Sequence, residues 1–104
     1  MIDLETAHEI LLSMPDAIED THFDKPSYKR KGKIFATFNI ENKWVTVKFM
    51  PEQQAEFCEN EAFCEVPNKW GKLGWTHIDL NKVRKNDFIE AIKIAWGNVV
   101  LKKK

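Results

Sequence analysis

Two apolar runs, KIFATFNI at 33–40 and WVTVKFM at 44–50, flank the polar trio Glu41, Asn42 and Lys43. In the second run Val45, Val47 and Phe49 alternate with Trp44, Thr46 and Lys48, the period-two signature of a strand with one buried side and one uncovered side. A short polar turn between two such runs makes them an antiparallel hairpin. The rest of the chain must then cover the aliphatic side of that hairpin.

Three stretches have helical periodicity. Asp3 is placed to cap a first helix through Leu4, Ala7, Ile10, Leu11 and Met14, stopped by Pro15. PEQQAEFCEN opens with proline at the first helical position, which predicts a short helix with Ala55, Phe57 and Cys58 inward. Phe88, Ile92, Trp96 and Val99, with Ile89, Ala95 and Val100, form the apolar stripe of a last helix, followed by the lysines at 102–104. DAIEDTHFD reads as an acidic turn, SYKR and FCEV as short strands, residues 67–74 as a loop, and WTHIDL as a strand with Ile78 and Leu80 on one side.

The predicted order is α-β-β-β-α-β-β-α. That order gives an α+β, two-layer domain spanning 1–104, an antiparallel sheet with helices on one face. Ile34, Ala36, Phe38, Ile40, Val45, Val47, Phe49, Ile78 and Leu80 are expected beneath the helices. The opposite face receives Phe35, Thr37, Asn39, Trp44, Thr46, Lys48, Trp75, His77 and Asp79.

The formal net charge is zero, but the signs come in blocks. Residues 1–24 hold seven acids and no Lys or Arg, and 25–48 hold seven cations against Glu41 alone. Such segregation can place a positive surface on a neutral protein. The densest basic stretch, KPSYKRKGKIF, carries Lys25, Lys29, Arg30, Lys31 and Lys33 around one tyrosine. No apolar stretch reaches the ~20 residues that a bilayer span needs, so no membrane partner is expected, and a cytoplasmic location fits the absence of a leader pattern, while the oligomeric state stays open with monomer slightly favoured. Cys58 and Cys64 read as reduced packing residues.

Four segments, MPDAIEDTHFDKPSYKRKGKIFA, VTVKFMPEQQAEF, VPNKWGKLGWTHIDL and the last amphipathic helix, together resemble the MmcQ/YjbR family. The most specific parts are Gly32-Lys33-Ile34-Phe35-Ala36, Lys48 with Pro51-Glu52, and Trp75. The resemblance spans nearly the whole chain and implies a CyaY-like, double-wing DNA-binding-like domain with no shared enzymatic chemistry. The chain departs from the family pattern at Met14, Ala17 and Ala95-Trp96.

Two function classes follow. Nucleic acid, DNA or RNA, would meet Lys29, Arg30, Lys31, Lys33, Lys48, Lys69 and Lys72 through its phosphates, and Phe35, Trp44, Trp70 and Trp75 through its bases or sugars. A protein partner could instead dock on the same aromatic face, because aromatic anchors with a polar rim are what interfaces use. A small-molecule pocket beneath the 67–74 loop is a third option. Lysines beside a hairpin also serve simply to stop sheets pairing edge to edge. His22, Asp24, His77, Cys58 and Cys64 have neither zinc-finger nor HExxH spacing, and no nucleophile motif surrounds either cysteine. No catalytic residue, metal or cofactor is therefore expected.

Overall fold

The computed structural model describes residues 2–22, 25–67 and 69–101. Its elements are α1 (Leu4–Leu12), β1 (Ala17–His22), β2 (Lys25–Arg30), β3 (Lys33–Asn39), β4 (Trp44–Lys48), α2 (Pro51–Phe57), β5 (Phe63–Glu65), α3 (Lys69–Lys72), β6 (Trp75–Asp79) and α4 (Lys85–Leu101). Asp24, the side chains of His22, Lys25 and Val100, and the lysines at 102–104 lie outside the described residues.

One six-stranded antiparallel sheet runs β1-β2-β3-β4-β6-β5. The expected hairpin is present, with Ala36 opposite Val47 and Phe38 opposite Val45. Continuing across the sheet, Val47 faces Thr76, and Val45 faces Ile78, which faces Phe63. All of these residues are buried, because α1, α2 and α4 pack over this side. Ala7 and Leu11 from α1, and Phe88, Ala91, Ile92 and Ala95 from α4, complete the core. Each large side chain so buried contributes roughly 1.5–3 kcal/mol.

Local chemistry sets the helix ends. The Asp3 carboxylate accepts from the Thr6 backbone N–H at 2.8 Å, and hydrogen bonding by the Thr6 side chain, with this backbone bond second, holds its pKa below the ordinary aspartate value. In α2 the Gln53 side chain accepts from the Met50 backbone N–H at 2.8 Å, closing the first turn behind Pro51.

Several sequence expectations require correction. The acidic turn is an edge strand, β1, entered through Asp16 at φ 63°. Its Glu19 and Asp20 hid the strand pattern, and charge of this kind suits an edge. The 67–74 loop contains the helical turn α3. Phe35 is fully buried rather than on the open face. Tyr28 pairs with Ala36 but Lys29 pairs with Ile34, so one step along β2 matches two along β3 and Phe35 is the bulged residue. The extra residue inverts the alternation. Ile34 therefore faces outward, half-buried, where it was expected beneath the helices. Ile40 is 53% exposed because it has left the strand and opens the turn to Lys43. In α2, Gln54 is buried and Ala55 is exposed, since positions 54, 57 and 58 share the inward side of the helix. Phe57 stacks on Phe49 at 4.7 Å and meets Phe63 at 4.9 Å.

Candidate functional site

Among the described residues, no element covers the sheet face opposite the helices. Thr37, Asn39, Trp44, Thr46, Lys48, Trp75, His77 and Asp79 all lie half-buried there, as the alternation predicts. Register brings them into rows. Thr37, Thr46, His77 and Cys64 are consecutive cross-strand partners, Asn39, Trp44 and Asp79 form the next row, and Lys48 sits directly opposite Trp75.

Two aromatic stations result. The Trp44 ring lies on the His77 ring with centroids 4.4 Å apart and planes tilted by 30°, and His77 Nδ1 shares a 2.8 Å hydrogen bond with Thr46 Oγ1. The imidazole is thus pinned beneath the indole. A ring held this way loses little freedom when another flat group stacks on it. The second station is Trp75, flanked by Lys48 and Ile34 along a groove of about 810 Å³ at the end of the sheet. Gly32 and Lys33 of the β2–β3 turn, Met50 and Pro51 ahead of α2, Leu73 after α3, and Asn98 and Val99 of α4 also line this groove.

Buried amides fix the walls. Gln54 Nε2 donates to the carbonyls of Gly71 at 2.8 Å and Trp75 at 3.1 Å, and lies 3.2 Å from Thr76 Oγ1. It therefore anchors α3 and the start of β6 to α2. Asn98 Nδ2 donates to the Lys48 carbonyl at 3.2 Å and to Gln53 Oε1 at 2.9 Å, tying α4 to the end of β4. Gly74 adopts φ 109°, and a Cβ on it would stand 1.8 Å from the Phe49 carbonyl oxygen. Only glycine lets β6 begin so close to β4.

The basic hairpin is less available than its sequence implies. Lys29 Nζ is 3.0 Å from Asp20 Oδ2 in an ion pair across β1 and β2. Arg30 turns toward the helix layer, with its guanidinium carbon 3.4 Å from the Trp96 ring centroid and Nη1 donating to the Trp96 carbonyl at 3.1 Å. Trp96 Nε1 in turn donates to the Pro15 carbonyl at 2.7 Å. Arg30 is thus a clasp between hairpin and α4 rather than a surface cation. Lys31, at φ 54° in the turn, and Lys33 are exposed. Lys69, Trp70 and Lys72 lie on α3, with Trp70 51% exposed, and Lys69 and Lys72 flank a separate hollow that includes Glu65.

Met50 and Leu73 were not singled out from the sequence, and Ile34 was assigned to the helix-covered side. The signals were Met50 directly before a helix-initiating proline and Leu73 as the apolar residue inside a glycine-bounded loop. Among the described residues, no group of three or more His, Cys, Asp or Glu could hold a metal ion, and no helix is long and apolar enough to cross a membrane.

No curated protein matches this chain. A family model described as YjbR matches residues 12–98, a span that takes in all six strands and α4 as far as Asn98, and the chain belongs to the YjbR family.

Proposed function

We propose that this domain is a non-enzymatic binding module that takes nucleic acid on the open face of its sheet. The carrying observation is the juxtaposition of two aromatic stations, Trp44 on His77 and Trp75 beside Lys48, on a face that no helix covers among the described residues. Bases stack on the indoles while Lys48, Lys33 and Lys31 neutralise phosphates. Because every base offers a π-face, this mode tolerates sequence. Lys69, Trp70 and Lys72 lie on α3, which directly precedes β6 and its Trp75. Lys29 and Arg30 contribute little, being engaged within the protein.

A protein-docking role for the same face is the second reading, supported by Ile18, which is 63% exposed on β1 and alternates outward from half-buried Ala17. The salt response separates the two. Tryptophan fluorescence titrated with single-stranded and double-stranded oligonucleotides and a simple polyanion, at two salt concentrations, should show affinity falling steeply with salt. Absence of saturable quenching by every oligonucleotide at low salt removes the nucleic-acid reading.

A further inference from the structure

The groove at the end of the sheet has a chemistry of its own. Ile34, Met50, Leu73 and Val99 give it apolar walls, Trp75 closes one side, and the charged residues lining it are Lys33 and Lys48, with no acid among them. Leu73 is 54% exposed and Met50 39%, which is unusual for large apolar side chains sharing one concavity. Among the described residues the lysine held in an ion pair is Lys29, with Asp20, so neither groove lysine is neutralised by one.

From this we infer that the groove binds an amphipathic carboxylate, its hydrocarbon chain against Ile34, Leu73 and Trp75 and its anionic head toward Lys33 and Lys48. At about 810 Å³ the groove lies within the roughly 300–1,000 Å³ typical of small-molecule sites. It is also preformed. Asn98 and Gln53 hold the β4–α2 junction, and Gln54 holds α3, so binding need not order these walls. Two other hollows among the described residues lack this combination. One is ringed by Glu56, Asp87 and Glu90, which repel an anion, and another pairs Lys69 and Lys72 with Glu65.

The test uses the full chain without nucleic acid, so its outcome is independent of the nucleic-acid proposal. Methyl NMR spectra are recorded while adding decanoate, decanol or decyltrimethylammonium, each below its micelle-forming concentration. Decanoate should shift the Ile34, Met50, Leu73 and Val99 methyls saturably and bind about fivefold tighter than decanol at low salt. The ammonium probe should bind most weakly. Lys33→Gln with Lys48→Gln should reduce decanoate to the affinity of decanol and leave decanol unchanged. Leu73→Ser should weaken both about tenfold. Met50→Ser should weaken both while keeping the fold, because serine is a good residue at that helix-capping position. Decanol or the ammonium probe binding as tightly as decanoate overturns the inference. So do shifts spread equally over the exposed Ile18 and Ile40 methyls.

Discussion

Replacing Phe35 with alanine should destabilise the domain far more than replacing its neighbour Ile34. Phe35 is fully buried at the β-bulge, so truncation forfeits the transfer free energy of the ring and leaves a cavity, together ~3–5 kcal/mol. Ile34 is half-buried on the open face, and its loss should cost about 1 kcal/mol. With a urea dependence of ~1–3 kcal/mol/M, Phe35→Ala should lower the unfolding midpoint by on the order of 2 M. Domains of this size are stable by only ~5–15 kcal/mol, so Phe35→Leu, expected to cost roughly 1–1.5 kcal/mol, keeps the comparison usable if the alanine variant does not fold. Equal midpoints for Phe35→Ala and Ile34→Ala would mean that the alternation runs unbroken through β3 and that the bulge does not exist.

Burial, with Glu19 adding to it, pushes the Tyr28 phenol up to about 12 from its ordinary 10.0, and its hydroxyl shares a 2.8 Å hydrogen bond with His8 Nδ1. The neutral form is favoured in the fold, so this contribution is fully present below the unfolded pKa and is lost as pH rises through the folded one. Urea midpoints from about pH 9 to about pH 12 should fall by an amount equivalent to roughly 2–3 kcal/mol, a step that Tyr28→Phe should lack. Arg30→Gln should cost ~1–2 kcal/mol through loss of the Trp96 clasp, yet leave the salt slope of oligonucleotide binding unchanged. Lys33→Gln should do the reverse, changing stability by less than ~0.5 kcal/mol and flattening the slope by about one. In thermal melts Gly74→Ala should lose more than ~3 kcal/mol, from a Cβ 1.8 Å from the Phe49 carbonyl oxygen. Gly97→Ala, on α4 with no atom within 4 Å of the new Cβ, should instead gain about 0.5–1 kcal/mol.

The central hairpin, the last helix and the open face were legible because each rests on one periodicity carried by several side chains. Val45, Val47, Ile78 and Leu80 go inward while Trp44, Thr46, Lys48 and His77 go outward, with no exception to disturb the count. Phe35 was misplaced because a bulge leaves no trace in hydrophobicity: KIF reads the same with or without the extra residue. The edge strand β1 was hidden for a related reason, since a strand at the rim buries little and tolerates Glu19 and Asp20. Gln54 could not be read as buried from sequence, because what retains it is three acceptors, Gly71, Trp75 and Thr76, at least seventeen residues away. The hairpin cations show the limit of charge counting. Lys29 and Arg30 sit beside Lys31 in the chain, but Asp20 and Trp96, which engage them, come from β1 and α4.

Backbone amide NMR mapping of a short single-stranded oligonucleotide at low salt tests the open-face proposal most directly, because it reports which side of the sheet is touched. The largest perturbations should fall on Thr37, Trp44, Thr46, Lys48, Trp75 and His77, with the indole N–H signals of Trp44 and Trp75 moving and that of Trp96 staying fixed on the Pro15 carbonyl. Perturbations confined to α1 and α4, or none at a saturating oligonucleotide concentration, would contradict it.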